Sequence, residues 1–394
     1  MDKHKINFAL KTRCLQSNKF KRDNIHLFVR SDFKKNLNKY VINSEQQEKI
    51  NASKNEIDQY YNMKQWDKIK KFTNPYELIY ITNKKRRQFS ISTYEPLSRS
   101  YFKMLEICKE FFQNQIKKSE PIKTVHLAEG PGGFIEGIVN IRKNVNDIYY
   151  GITLIDKNKE IPGWKRSTQF LKKNPNVEIL YGYDNSGNLY NTNNHNFLQY
   201  KMGIESEKAD IVTADGGFDF SVDYNLQEFL ANKLIFAQII AAFGVQKIGG
   251  DFVCKFFDTI SKVSCDILHI LSLFYDEVIF FKPYTSRPAN SEKYVVCKGF
   301  KGVSPRTLKH FRSTLNIWNK IENNNIFVVS LLRRNNTSII NQLIDINTKL
   351  QKEQILYINK TINLIKIPYN NHNYLENQEK QIQNARYWCE KYEI

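Results

Sequence analysis

The sequence predicts an α/β fold built on a doubly wound, mostly parallel sheet whose last strand runs antiparallel. Three observations lead there. Short apolar runs recur between about residues 120 and 300. They are continuous rather than alternating, as strands buried on both faces are. Helix-length segments separate these runs, except between the last two, which only a loop joins.

Residues 1–95 are polar, basic and aromatic, and read as an N-terminal extension. Their densest basic patches are FKKNLNKY and KKRRQFSIS. The patches are candidates for contact with RNA; a solvated face is the alternative. From 96 the character changes. RSYFKMLEICKEFF sets Phe102, Leu105, Ile107 and Phe111 at approximately helical spacing. TVHLAE (124–129) predicts the first strand, and FIEGIVNIRKN begins a helix straight after a glycine turn. DIYYGITL (147–154), VEILYG (177–182) and ADIVTAD (209–215) predict three more strands. LQEFLANKLIFAQIIAAFG is a long helix, with Gly244 as a natural stop. GGDFVCKFF (249–257), a helix over ISKVSCDILHILSLF, EVIFFKP (277–283) and KYVVCKGF (293–300) complete a domain at 96–300, with the hairpin at the sheet edge. Residues 301–394 form a polar, Asn-rich C-terminal extension with one predicted helix, SIINQLIDINTKLQKE.

Composition narrows the function classes. The 394 residues suffice for one elaborated domain or two, and 41% hydrophobic content with 13% aromatics excludes wholesale disorder. A formal net charge of +19 favours polyanionic partners such as nucleic acid; a solvated basic surface is the other reading. Cysteines 14, 108, 254, 265, 297 and 389 form no CxxC pair and no zinc spacing. Free thiols and no structural metal are expected. MDKHKINFALKTR lacks the apolar run of a secretory signal, and LIFAQIIAAFGV is too short to span a bilayer. The expectation is a soluble, cytoplasmic protein with no membrane partner.

VHLAEGPGGF (125–134) ends an apolar run with a carboxylate and a turn rich in glycine. Turns of this kind after a strand commonly cradle phosphate, yet Glu129 would repel one. No GK[ST] follows, so this is not a P-loop. A cationic ligand without phosphate removes the conflict, and S-adenosylmethionine is one. Glu129, Gly130, Pro131, Gly132, Gly133 and Phe134 are its candidate site, with Glu129 as acceptor; a tight turn with no ligand is the alternative. Asp156 and Asp184, past the second and third strands, are further candidates. Asp156 also reads as a solvated acid, and Asp184 as an Asx-turn.

Four charged residues form a second constellation. Lys103 lies on the helix before the first strand, Asp215 ends the fourth, Lys255 is near the end of the fifth, and Glu292 begins the last. Each alone reads as an ordinary surface or ion-paired residue. Together they suit methylation of a sugar hydroxyl, which needs a proton removed. A lysine does that only with a lowered pKa, from burial or a neighbouring cation. Lys255 is the candidate base and Lys103 the cation. Asp215 and Glu292 orient the lysines and oppose part of the downshift. No metal is required, since a sulfonium is already an activated leaving group.

At these residues the chain resembles the FtsJ-like 2′-O-ribose methyltransferases. RSYFK, TADGG, FVCKFF and SRPANSEKYVV are similar to that family's K-D-K-E motifs, in order, and EGPGGF to its cofactor loop. The resemblance covers about 95–300 and implies a Rossmann-like, S-adenosylmethionine-dependent sheet, with Asp215 also at the cofactor. LAEGPGGF, YGYDNSGN and the long flanks look most like the cap-specific mRNA enzymes of eukaryotes and large cytoplasmic DNA viruses. That implies methylation of the first transcribed ribose of capped RNA, with mRNA-capping or transcription proteins as further partners. A ribosomal- or transfer-RNA enzyme, or a non-catalytic capping subunit, is the alternative. Arg99, Lys84, Arg86, Ser286 and Arg287 are the candidate RNA contacts.

Overall fold

The computed structural model describes residues 6–9, 25–30, 37–61, 64–81, 89–158, 161–217, 225–322, 327–333, 336–368 and 372–394. The N-terminal part holds β1 (Ile6–Ala9), β2 (Ile25–Arg30), α1 (Ser44–Tyr61) and α2 (Gln65–Thr73). The central part runs through α3 (Ser100–Phe111), α4 (Gln113–Lys117), β3 (Lys123–Leu127), α5 (Gly133–Arg142), β4 (Ile148–Ile152), α6 (Thr168–Lys173) and β5 (Val177–Leu180). It continues with α7 (Thr192–Met202), β6 (Ala209–Ala214), α8 (Gln227–Val245), β7 (Gln246–Phe256), α9 (Lys262–Phe274), β8 (Tyr275–Lys282) and β9 (Lys293–Phe300). The C-terminal part adds α10 (Pro305–Glu322), β10 (Phe327–Leu332), α11 (Thr337–Ile365) and α12 (His372–Tyr392).

Among the described residues one sheet has the order β1-β8-β9-β7-β6-β3-β4-β5. The run β7-β6-β3-β4-β5 is parallel, and β9 is antiparallel to both β7 and β8. The predicted Rossmann-like sheet with its antiparallel last strand is therefore present. Its strands are continuous in hydrophobicity because consecutive side chains enter different cores. Tyr149, Ile211 and Val253 pack in one cluster, and their successors or predecessors Tyr150, Val212 and Phe252 in another. Each such burial contributes about 1.5–3 kcal/mol.

Two features depart from expectation. The β8–β9 hairpin is not at the sheet edge, because β9 inserts beside β7 and β1 pairs antiparallel with β8. An open β8 would present unpaired backbone groups, and the N-terminal segment covers them. The C-terminal segment is also richer than one helix. Leu308, Phe311, Leu315 and Trp318 are all buried on α10 at helical spacing, a signal present in the sequence. β10 pairs with β2, α11 packs on α1 and α2, and buried Trp388 of α12 meets Phe102 of α3. Among the described residues one helix, α8, is long and apolar enough to cross a membrane, and it is mostly buried in the core. The five cysteines among them are free and buried.

The chain order reverses at β3, which pairs with β4 on one side and β6 on the other. Ligands in open α/β sheets bind at such a switch point, beyond the carboxyl ends of the strands.

Candidate active site

Residue 128 leaves β3 with a left-handed backbone: Ala128 has φ 56°, and its N–H donates to Ile152 O at 2.7 Å. The turn then closes on itself, Gly132 N–H donating to Glu129 O at 2.6 Å. Gly132 has φ 99°, a conformation that a side chain resists. A Cβ on Gly130 would stand 2.7 Å from the carbonyl oxygen of Gly163. Both glycines thus answer to the protein's own backbone and to the neighbouring 161–167 loop.

Glu129 is buried, and its carboxylate is engaged below the cleft. It accepts from Thr213 Oγ1 and faces His126 Nδ1 at 3.1 Å; His126 itself bridges Thr124 at 2.8 Å and Thr213 at 2.7 Å. His126 and Thr213 are register partners on β3 and β6. Burial pushes the Glu129 carboxyl above its ordinary pKa, against the pull of His126 and Thr213. The acid that opened the argument for a cationic ligand therefore belongs to a buried polar chain. Phe134 also points inward, packing on Tyr294 at 5.6 Å between ring centroids. Gly133 starts α5 and is buried, while Ala128, Gly130 and Pro131 form the cleft wall.

The two outer acids organise loops. Asp156 is exposed and accepts from Asn158 N–H at 2.8 Å. Asp184 accepts from Ser186 N–H at 3.1 Å, Ser186 Oγ at 2.6 Å, Asn191 at 2.7 Å and Asn194 at 3.0 Å. The Ser186 hydroxyl, with the two amides, holds its carboxyl well below the usual range. The loop so held supplies Gly187, Asn188 and Leu189 to the cleft, alongside Thr153 and Leu154.

The four residues proposed for chemistry come together as two ion pairs. Lys103 Nζ lies 2.6 Å from Glu292 Oε1. Lys255 Nζ lies 3.2 Å from Asp215 Oδ1 and donates to the Asp215 carbonyl at 2.7 Å. Tyr294, on β9, donates its hydroxyl to Asp215 Oδ1 at 2.9 Å and lies beneath Lys103 at 5.8 Å. Burial opposes charge on Glu292, but Lys103 and then Lys255 outweigh it and hold the carboxyl down to about 2. Lys255 corrects an expectation. Burial pushes its ammonium down, yet Asp215 and then Glu292 outweigh burial, so its pKa lies above the ordinary lysine value.

The structure puts the remaining candidates in supporting positions. Arg99 donates to Tyr80 O at 2.6 Å, Tyr76 O at 3.1 Å and Glu77 O at 3.2 Å, clamping the 76–80 segment while lining the cleft. Arg287 forms a two-bond pair with Glu77 at 2.9 and 2.8 Å. Ser286 is 2% exposed, too buried to meet RNA directly. Lys84 and Arg86 lie outside the described residues.

A cleft of about 1000 Å³ joins the turn to the ion pairs. Small-molecule sites span about 300–1,000 Å³, so this one has room for a cofactor and part of an acceptor. Beyond Lys255 and Glu292 its wall is built by the extensions: Lys54 and Ile57 of α1, Trp66 and Lys70 of α2, Gln354 of α11. Lys54 pairs with buried Asp258 at 2.5 Å, tying α1 to the segment after β7. Sequence reasoning missed these residues, as it missed Tyr294 and His126. Among the described residues no three His, Cys, Asp or Glu side chains cluster as metal ligands.

A family model described as FtsJ-like methyltransferase matches residues 96–300. The chain is 36% identical over 192 residues to the mouse protein "Cap-specific mRNA (nucleoside-2'-O-)-methyltransferase 1", covering 47% of this chain and 22% of that one. It is 28% identical over 244 residues to "Cap-specific mRNA (nucleoside-2'-O-)-methyltransferase 1A" of Caenorhabditis briggsae, covering 59% of this chain and 27% of the relative. The chain thus spans about a quarter of the length of the curated relatives it matches. Among solved structures it is similar to an rRNA methylase from Streptococcus thermophilus, with TM-score 0.31, 11% identity, and 53% of this chain and 99% of that one covered.

Proposed function

We propose, for a chain that belongs to the FtsJ-like methyltransferase family, that it transfers a methyl group from S-adenosylmethionine to a ribose 2′-hydroxyl of RNA, and that this ribose is the first transcribed nucleotide of capped mRNA. Its Rossmann-like sheet with terminal extensions is the fold of S-adenosylmethionine-dependent methyltransferases. The observation that carries the reading is the pairing of Lys103 with Glu292 and Lys255 with Asp215, of which Asp215, Lys255 and Glu292 line one cleft. Support for capped mRNA comes from the relatives named above.

The residues present fit the cofactor. Ala128, Gly130 and Pro131 with Thr153, Leu154 and Leu189 form a largely apolar, backbone-lined wall, and Asp215 supplies the carboxylate at the switch point. When bound, S-adenosylmethionine supplies an activated methyl group on a sulfonium, and with it a positive charge. Lys255 and Lys103 hold the acceptor oxygen by hydrogen bonds and stabilise negative charge developing on it. Asp215 fixes Lys255 through both its carboxylate and its carbonyl, and Glu292 fixes Lys103. For Lys255 to take the hydroxyl proton it must first lose its own, which positive charge entering beside it favours.

The test is transfer of a labelled methyl group to uncapped RNA, RNA capped with guanosine, and RNA capped with N7-methylguanosine, followed by nuclease mapping. Label on the first transcribed ribose of capped RNA alone is expected. Equal label on uncapped RNA would move the assignment to a structural-RNA enzyme, and no label despite cofactor binding would leave a non-catalytic subunit.

A further inference from the structure

Glu292 sits at the end of a loop, 283–292, that joins β8 to β9. Its side chain meets Lys103 only if that loop is held, and three anchors hold it. At its near end Glu106 of α3 accepts from Tyr284 N–H at 2.7 Å, Thr285 N–H at 2.9 Å and Thr285 Oγ1 at 2.8 Å. At its far end Lys282 Nζ donates to Asn290 O at 2.7 Å and Glu292 O at 2.6 Å, with Ser286 Oγ at 3.4 Å. At its tip Arg287 pairs with Glu77. Lys103 and Glu106 stand three residues apart on α3 and so share a face of one helix. The helix that carries Glu292's partner therefore also grips Glu292's loop.

Resting on the methyl-transfer reading, we propose that Lys282 and Glu106 are positioning residues of that reaction, fixing the 283–292 loop so that the Glu292 carboxylate meets the Lys103 ammonium at the cleft. Neither residue is among those that line the cleft; Lys282 meets Glu292 through its backbone carbonyl, and Glu106 meets the loop at Tyr284 and Thr285. Both are costly where they stand. Burial pushes the Lys282 ammonium down to about 7; Lys293 and Lys103 add to the shift, while Glu292 and Glu353 oppose it. Burial likewise pushes the Glu106 carboxyl up to about 7, against the hydrogen bonds from Thr285 and Tyr284. A buried lysine and a buried glutamate that face loop backbone, not each other, serve as donors and acceptors for that backbone.

The test uses the full chain and its Lys282→Met and Glu106→Gln variants. Lysine amines are acetylated with a small water-soluble ester and read by peptide mass spectrometry, and methyl transfer and cofactor affinity are measured beside it. Acetylation of Lys103 is expected to rise about ten-fold, equivalent to about 1.4 kcal/mol of lost protection, while that of Lys255 stays unchanged. Turnover is expected to fall roughly a hundred-fold, the effect of a misplacement of about 1 Å, with cofactor affinity altered less than about two-fold. Thr285→Val, which removes a single hydroxyl, gives an intermediate rise at Lys103 and serves if a clamp variant fails to fold. Unchanged Lys103 labelling in folded variants would overturn the proposal, as would an equal rise at Lys255, which marks general loosening. Selective exposure of Lys103 in a protein that methylates no RNA would uphold the positioning role and sink the methyl-transfer reading instead.

Discussion

At the turn after β3, the protein itself answers every feature that drew attention in the sequence. Gly130 is small because Gly163 leaves no room, Gly132 because its backbone is left-handed, and Glu129 is acidic because His126 and Thr213 need an acceptor. Beside it in the cleft, two lysines and two carboxylates are held together as ion pairs, with side chains 13–19% exposed. The turn is built for shape, and its polar groups are satisfied inward. The charged cluster keeps ionised groups partly buried at a cost, and in the proposed reaction their charge is what the site uses. Substitutions in the first region should therefore act on stability and on cofactor affinity through the shape of the wall. Substitutions in the second should act on rate.

Lys255→Ala breaks the comparison most sharply. On the proposed role of Lys255 in proton handling, its removal should lower methyl transfer roughly 10²–10⁴-fold while leaving cofactor affinity and melting temperature nearly unchanged. Near-normal turnover would remove Lys255 from the proton-handling role. The pH profile of the unaltered protein sharpens the same point. Asp215 and Glu292 outweigh burial and raise the Lys255 pKa, so the deprotonated form is scarce at neutral pH. The rate should therefore rise as pH climbs from neutral into the alkaline range. A plateau near neutrality would mean that bound ligands lower the Lys255 pKa, or that another group is the base.

Gly132→Val tests the turn. A β-branched residue at φ 99°, with its Cβ 3.2 Å from the Trp164 ring, should cost about 1–3 kcal/mol or more of stability. Cofactor affinity should fall with it, because the turn that carries Gly130 and Pro131 must shift. Intact stability with lost affinity would show that the ligand, not the backbone, demands the glycine. Glu129→Ala should cost about 1–3 kcal/mol by leaving Thr213 and His126 short of an acceptor. Glu129→Gln should instead be nearly neutral, and its pH dependence carries the sign. The folded carboxyl pKa is raised, so its contribution to stability is full below the unfolded carboxylate pKa and lost as pH rises through the folded value. The glutamine variant should lack that decline, which urea titrations across acid and neutral pH would detect.

The difference between the two regions also explains what could be read from the chain. Lys255 and Asp215 were legible because charge at the end of an apolar strand violates the local pattern, and sheets of this class place strand ends at the ligand. Glu129 was legible as important for the same reason but not in its role, which depends on the register that sets His126 beside Thr213. Tyr294 was hidden because an aromatic residue in a buried strand violates nothing. The insertion of β9 and the capping of β8 by β1 depend on pairings between distant segments, which periodicity does not encode. So does the outer wall of the cleft: Lys54 reaches Asp258 across more than two hundred positions.

The smallest expected effects belong to the acids that lie between the two regions in character. Asp184 holds its loop through four hydrogen bonds, and that loop packs Gly187 against the cleft, so Asp184→Ala should cost about 1 kcal/mol and weaken cofactor binding modestly. Asp156 is exposed and accepts one backbone N–H, so Asp156→Ala should change stability by less than about 0.5 kcal/mol. Its effect on cofactor affinity is the informative quantity. If the carboxylate acts only within its loop, affinity should stay within about two-fold of the unaltered protein. A loss of ten-fold or more, at unchanged stability, would show the loop turning Asp156 toward the ligand on binding. That would make the wall beyond β4 a region whose charge, like that of the lysine pairs, is kept for use.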